Sequence, residues 1–248
     1  MKVSIITVTF NSQEFLEKCI DSVKNQIYQD IEHIIIDGIS TDNTLNIIKK
    51  NSNIKWISED DYGIYDAINK GIKMATGDVV GILNSDDFLA DGNVIQRIVS
   101  AFNTQKVDSL FANVIFVDRY DTSKKVRFYS SKHFKPWMFK FGFQPAHPTF
   151  YAKRELFEKC GYYRIDLRIA GDFELLLRFL FKKNVTYRYI NEVWVKMRVG
   201  GVSTSGISSV KKLNAEILKA HKLNDLYTNI LFVYSKYLIK WWGFLFRK

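Results

Sequence analysis

Apolar and polar residues change rhythm several times in the first hundred positions, and each change marks an element. Val3–Thr9 (VSIITVT) is a short β-branched run and predicts a strand. Asn11 or Ser12 can cap a helix beginning near Gln13, in which Phe15, Cys19, Ile20, Val23 and Ile27 recur at helical spacing. Glu32–Asp37 (EHIIID) predicts a second strand that ends on an acid, and Gly38, Ser40, Asp42 and Thr44 a turn and helix start. Ile54–Ser58 reads as a third strand, Ile64–Met74 as a helix closed by Gly77, and Val79–Asn84 (VVGILN) as a buried fourth strand. Strands alternating with helices at this pace specify βαβ units, an α/β fold with a mostly parallel sheet flanked by helices.

The second half is less regular. Asp91–Asn103 predicts a helix, Ser109–Val117 a strand and Phe134–Phe143 an aromatic, basic loop or short helix. Asp172–Lys183 predicts an amphipathic helix with Phe173, Leu176, Leu177 and Leu180 on its apolar face. If the early strands are parallel, Thr9 and Asn11, Asp37, and Asp86 with Asp87 gather on one sheet edge, where open α/β sheets bind ligands. The adjacent carboxylates of Asp86 and Asp87 repel each other and need solvent or a counter-charge. A divalent cation carrying phosphate oxygens would supply one; a helix N-terminus that welcomes acids is the rival reading.

Composition adds a bias without a choice. The 248-residue chain has a net charge of +10, which attracts phosphates in nucleic acid, lipid headgroups or nucleotide-linked substrates alike. Hydrophobic residues make up 47% and aromatics 15%, which excludes a disordered chain. Cys19 and Cys160 fit no metal-ligand spacing and read as free thiols in a reducing compartment. The N-terminal MKVSIITVTFNS breaks at Asn11 and lacks a signal peptide's apolar core, so a cytoplasmic location is expected.

Five segments then carry a resemblance: ITVTFNS, IIIDGISTDNT, SEDDYGIYDAINKGIKMATGD, ILNSDD and AGDFELLLR, in order and at the right intervals. Together they closely resemble the family 2 glycosyltransferases of the GT-A fold, most strongly over residues 1–100 and more loosely to about 205. The resemblance implies an inverting transfer of a sugar from a nucleotide-diphosphate-sugar to an acceptor hydroxyl, with Mn²⁺ or Mg²⁺ as cofactor. It implies a domain over 1–205, with a nucleotide-sugar half (1–100) and an acceptor half (101–205), ahead of a helical tail over 206–248.

By the same resemblance, Thr9 and Asn11 contact the nucleoside and Asp37 accepts an imino N–H of the base. Asp66 and Asn69, three apart on a helix face, approach the diphosphate and sugar. Asn84, Ser85 and Asp86 occupy the place of the family's DXD motif, with an amide where the first acid usually stands. The metal then rests on Asp86 with help from Asp87, since hard cations select carboxylate oxygens. Asp172 matches the second acid of the family's "ED" element, Gly171 replacing the first, and is the candidate general base. As the first acid of a helix it has a plain dipole role as its rival. His147, in QPAHPTFY, is either a donor to phosphate or acceptor or a structural histidine. Arg198, Gly200, Gly201 and Ser203 (RVGGVSTS) form either a loop closing over the diphosphate or an ordinary loop.

At helical angles the tail places Lys222, Asp225, Asn229, Lys236, Lys240, Gly243 and Arg247 on one polar stripe, broken by Phe232. The rest of the circumference, from Leu226 through Trp241, Trp242 and Leu245, is apolar, which suits a helix lying in a membrane interface. Two lysines interrupt it, so a spanning helix is not expected. A helix docked on the domain or on a second subunit is the alternative. Residues 226–247 thus predict peripheral attachment at the inner face of the cell membrane, beside a lipid-linked saccharide acceptor. Two other functions compete: a sugar-phosphate nucleotidyltransferase, whose Gly-rich loop after the first strand is replaced here by TFNSQEF, and a basic nucleic-acid module. Acids at successive strand ends disfavour the module, and no nucleic acid partner is expected.

Overall fold

The computed structural model describes residues 1–200 and 207–245, with side chains described for 1–200 and 209–237. The first half runs β1 (Val3–Thr9), α1 (Leu16–Lys24), β2 (Ile31–Asp37), α2 (Thr44–Lys49), β3 (Ile54–Ser58), α3 (Ile64–Met74) and β4 (Val79–Ile82). The second runs β5 (Phe88–Leu89), α4 (Val94–Gln105), β6 (Ser109–Val117), β7 (Lys125–Tyr129), β8 (Tyr151–Lys153), α5 (Glu155–Cys160), α6 (Gly171–Leu176), β9 (Tyr187–Arg198), α7 (Ile207–Leu223) and α8 (Ile230–Leu245). One mixed sheet has the order β3-β2-β1-β4-β8-β6-β9-β5, with β7 on β6. Its first four strands are parallel, and β8 runs against both β4 and β6.

Both faces of this sheet are covered, which is why all seven residues of β1 are buried, Ser4, Thr7 and Thr9 among them. Its side chains alternate between faces. Val3 and Ile5 pack with Cys19 and Val23 of α1 and Ile95, Ile98 and Val99 of α4. Ile6 and Val8 pack on the other side with Ala67, Ile68 and Ile72 of α3. Register fixes the ligand edge. Thr9 pairs with Asp37 and Asp37 with Ser58, while Ile82, just before Asn84, pairs with Ile6. The opposite edge is closed by buried Glu32, which accepts hydrogen bonds from Ser4 Oγ (2.5 Å), Gly77 N (2.9 Å) and Lys55 Nζ (2.8 Å).

Three expectations need correction. The first helix starts at Leu16, because Asn11 and Gln13 brace the neighbouring turn instead of capping it: Asn11 Oδ1 accepts Thr41 N, and Gln13 N donates to Asp42 Oδ2. Ile27 lies past its end and is 63% exposed. The helix expected over Asp172–Lys183 is α-helical only to Leu176 and widens to a π-helix over Leu177–Lys182, with Phe173, Leu176, Leu177 and Leu180 still buried.

The tail differs most. It is two helices, and Asp225 between them takes a left-handed φ of 55°. Lys222 and Asp225 therefore do not continue the stripe of α8, and Lys236 on that stripe faces inward, 3% exposed. Ile217, Ala220 and Val233 enter the same core as Phe139 and Phe173, and Phe232 stacks on Phe141 at 5.0 Å between ring centres. Docking thus holds for both helices, and residues 207–237 are continuous with the domain they were expected to trail. What α8 leaves exposed is Ile230, Leu231 and Tyr234, beside Tyr227. The side chains of Leu238, Lys240, Trp241, Trp242, Gly243, Leu245 and Arg247 lie outside the described residues. Among the described residues no helix is long and apolar enough to cross a membrane.

Candidate active site

β1 and β2 end side by side and turn sharply. Asp37 is fully buried; its Oδ2 accepts from Ser40 N (2.9 Å) and Ser58 Oγ (2.7 Å), and its Oδ1 from Ser40 Oγ (2.5 Å). These bonds hold Ile39 at a φ of 60°, a left-handed conformation that costs a β-branched residue on the order of 1–3 kcal/mol. A carboxylate has about four acceptor positions, so Asp37 shapes the turn and keeps one to spare. Next to it the Thr9 hydroxyl is buried without a partner, and Asn11 (φ 48°) donates its N–H to Ser40 Oγ at 2.8 Å. A buried unpaired hydroxyl costs free energy unless a ligand satisfies it.

Beyond β4 the loop Asn84–Asp87 meets the β1 turn through Ser85 Oγ and Ser12 Oγ, 3.0 Å apart. Asp87 is 1% exposed and accepts from Asn84 Nδ2 (3.2 Å) and Arg198 N (3.2 Å). Burial, and then the neighbouring Asp86 charge, push its carboxyl well above the usual carboxylate range. Asp87 therefore sits beneath the loop and shapes it, a different place from the metal contact expected of it. Asp86 is half-buried, and that burial raises its carboxyl too.

Arg198 also departs from expectation. It is the last residue of β9 and 7% exposed, lying over the Phe15 and Phe88 rings. Its guanidinium donates to the backbone carbonyls of Asp86 (2.6 Å) and Arg119 (3.0 Å), so it braces the acidic loop from behind. Gly201 and Ser203 of the proposed closing loop lie outside the described residues.

Among the described residues no group of three or more His, Cys, Asp or Glu could hold a metal by itself. The donor set fits a shared cation. Asn84 gives its amide nitrogen to Asp87, which leaves its side-chain oxygen for another partner on the loop that also carries the Asp86 carboxylate. Two hard oxygens completed by phosphate oxygens and water suit Mg²⁺ or Mn²⁺.

On α3 the expected pair separates. Asn69 is buried and spends both ends of its amide on Tyr163, donating to its carbonyl (2.8 Å) and accepting its N–H (2.9 Å). It ties α3 to the chain between α5 and α6. Asp66 accepts Tyr62 N at 3.1 Å and pairs with Lys70 at 3.6 Å.

Asp172 opens α6, and three side chains converge on it. Oδ2 accepts from Gln144 Nε2 (2.9 Å) and faces His147 Nδ1 (3.1 Å), and Oδ1 faces the Tyr65 hydroxyl (3.4 Å). Gly171 makes the last contact possible: a Cβ there would lie 2.5 Å from a Tyr65 ring carbon. Burial, and then the Asp172 charge, hold the Tyr65 phenol well above its usual pKa, so it remains a hydrogen-bond donor. His147 thus stands on the candidate base, whichever further contact it makes. Gln144 and Tyr65 were not predicted. Gln144 shares the QPAHPTFY segment with His147, the only signal for it in the sequence.

Residues 4–167 match the family model described as Glycosyl transferase family 2. The chain belongs to that family. It is a glycosyltransferase with the GT-A fold, as its relatives and structural neighbours agree. It is 28% identical over 208 residues to the PGL/p-HBAD biosynthesis glycosyltransferase of Mycobacterium bovis, covering 82% of this chain and 79% of that one. To an uncharacterized glycosyltransferase of Mycobacterium tuberculosis it is 32% identical over 232 residues, 91% of this chain and 84% of the other. The crystal structure of S. aureus TarS superposes with a TM-score of 0.68 at 19% identity, over 89% of this chain and 43% of TarS. The mannosyltransferase PcManGT from Pyrobaculum calidifontis, in complex with GDP-Man and Mn²⁺, gives 0.61 at 18%, covering 89% and 62%. At these identities the two structures speak for the fold, and this glycosyltransferase spans under two thirds of either chain.

Proposed function

We propose that this glycosyltransferase moves a sugar, with inversion at its anomeric carbon, from a nucleoside-diphosphate sugar to a hydroxyl of a lipid-linked saccharide in surface polysaccharide synthesis. The observation that carries the reading is the Asp172 carboxylate, oriented by Gln144, His147 and Tyr65. Tyr65 stands at the start of α3, just beyond the sheet edge where Thr9, Asp37 and Asp86 emerge.

Each part then has a task. Thr9 and Asp37 hold the base, Thr9 by its unpaired hydroxyl and Asp37 by its spare acceptor position. Asp86 and the Asn84 carbonyl oxygen would hold a Mn²⁺ or Mg²⁺ together with the diphosphate. When bound, that cation supplies positive charge for the departing nucleotide. Asp172 takes the proton of the acceptor hydroxyl as its oxygen forms a bond to the anomeric carbon and the bond from that carbon to the phosphate oxygen breaks. The nucleoside diphosphate leaves with the bonding electrons. Gln144 and Tyr65 fix the carboxylate so that no reorganisation is needed in the step.

Related folds have been crystallised with UDP-GlcNAc (TarS) and with GDP-Man (PcManGT), so both nucleotide classes are candidate donors. Thermal unfolding measured with UDP-, GDP- and dTDP-sugars, with and without Mn²⁺, tests the reading. One donor should raise the midpoint selectively and more so with Mn²⁺. No stabilisation by any nucleotide sugar would defeat it.

The membrane part of the reading is supported by exposed Ile230, Leu231 and Tyr234 on α8, beside exposed Tyr227. Phe232 stacks on Phe141, which meets half-exposed Trp137, so the 3₁₀ turn Pro136–Phe141 extends the same apolar surface. Such aromatic and aliphatic groups seat in a headgroup region, and a net charge of +10 favours anionic lipid. The double variant Ile230→Asp, Leu231→Asp should stay in the supernatant when the wild-type chain sediments with vesicles containing anionic lipid. Equal sedimentation of both would remove the membrane from the proposal.

A further inference from the structure

Glu216, on α7, lies 44 positions beyond Asp172 in a segment the family match does not reach. Its carboxylate nevertheless holds the stretch of chain that presents Asp172. Glu216 Oε2 accepts the backbone N–H groups of Ile169 (2.8 Å) and Ala170 (2.8 Å), and both of its oxygens accept that of Arg168 (3.0 and 3.1 Å). These are three consecutive amides, and Gly171 and Asp172 follow immediately. The helix N-terminus here has no side-chain cap of its own: Ala170 occupies the cap position. Glu216 does not cap α6, whose first helical amide is that of Gly171; it fixes the three amides that lead into it.

Lys219 on α7 and Asn224, just past its end, grip the same region. Lys219 Nζ donates to the Asp166 carbonyl at 2.9 Å, and Asn224 Nδ2 donates to Glu174 Oε1 at 2.9 Å, two residues past Asp172. The Ile169 carbonyl, whose N–H is fixed by Glu216, accepts the Tyr65 hydroxyl that also faces Asp172. One carboxylate on α7 therefore sets both the backbone that carries Asp172 and the perch of one of its partners.

We propose that Glu216 is a positioning residue for the base, so that α7 belongs to the catalytic unit. The proposal rests on Asp172 acting as that base. Without the Glu216 carboxylate, three amides lose their acceptor and the 168–170 turn can shift. A displacement of about 1 Å at a reacting group can lower a rate by ~10²-fold. Donor binding depends on Thr9, Asp37 and Asp86 at a different part of the sheet edge and should not follow.

The test is a cycle of Glu216→Ala, Asp172→Asn and the double variant, with transfer rate, donor KM and nucleotide affinity measured on the full chain. Glu216→Ala should lower kcat by ~10-fold or more, with donor KM and nucleotide affinity within about twofold. In the Asp172→Asn background the same substitution should change the residual transfer less than about twofold, because no base remains to misplace. A carboxylate that merely stabilises the fold predicts a lowered melting temperature with unchanged kcat in the folded protein. Unchanged transfer, or a full second fall in the Asp172→Asn background, overturns the positioning role. Should Glu216→Ala fail to fold, Glu216→Asp, which withdraws the carboxylate by one methylene from the three amides, carries the same cycle. If Asp172→Asn itself transfers at the wild-type rate, the base assignment fails; if only Glu216→Ala is silent, the base stands and the positioning role falls.

Discussion

Asp172→Asn is expected to abolish most sugar transfer, by ~10²-fold or more, while nucleotide affinity stays within about twofold. The substitution is nearly isosteric, so α6 and its packing should persist. The amide can still accept from Gln144 Nε2 with its one oxygen at the position of Oδ2. The remaining NH₂ then occupies the position of Oδ1, facing the Tyr65 hydroxyl, and has no lone pair to take a proton. Ground-state contacts to the donor are untouched, so kcat and kcat/KM should fall together with donor KM unchanged. Single-turnover transfer under saturating donor is the direct measurement. A variant with near wild-type turnover would show that the proton leaves by another route. His147, whose Nδ1 lies 3.1 Å from the same carboxylate, is the group to substitute next in that event.

How much of this was legible in the chain depends on distance along it. The bounds of β1, β3 and α3 coincide with those predicted, because short runs rich in β-branched residues and an amphipathic helix each write their pattern locally. Asp37 was legible for the same reason: it is the last residue of such a strand, and pairing with Thr9 follows from parallel order. What the pattern could not reveal is which side of a loop a side chain takes. Asp86 and Asp87 are adjacent and chemically identical, yet only Asp87 is drawn inward by the Asn84 amide and the Arg198 N–H.

Partners brought by long-range packing were hidden altogether. Gln144 reaches Asp172 across 28 positions, Tyr65 across 107, and Glu216 reaches Ala170 across 46. The tail misled for a related reason. A helical wheel assumes one unbroken helix, and Asp225 at a φ of 55° ends it, turning a supposed outer lysine at 236 into a buried one. The strained turn at Ile39 belongs to the same class. Nothing about an isoleucine announces a left-handed backbone; Asp37 and Ser58, on neighbouring strands, impose it.

Asp86→Ala should remove metal-dependent donor binding and lower transfer by ~10²-fold or more, since charge compensation at a leaving diphosphate supplies several kcal/mol. The effect should be larger than for a site with two equivalent acids. Asp87 is buried under its own bonds, so after the substitution only the neutral Asn84 oxygen remains on the loop to meet a hard cation. Its counterpart Asp87→Asn should behave differently. An amide at position 87 keeps an acceptor for one of its two donors but sets an NH₂ against the other, so the loop is disturbed while the Asp86 carboxylate survives. Metal dependence should persist in that variant with reduced stability. Titrating nucleotide affinity against Mn²⁺ for the wild type and both variants separates the roles. Because one accessible carboxylate binds a divalent ion weakly, Mn²⁺ alone should leave the wild-type melting temperature nearly unchanged, and Mn²⁺ with nucleotide should raise it more than nucleotide alone. Equal metal dependence in wild type and Asp86→Ala would place the cation elsewhere, and loss of dependence only in Asp87→Asn would exchange the roles of the two acids.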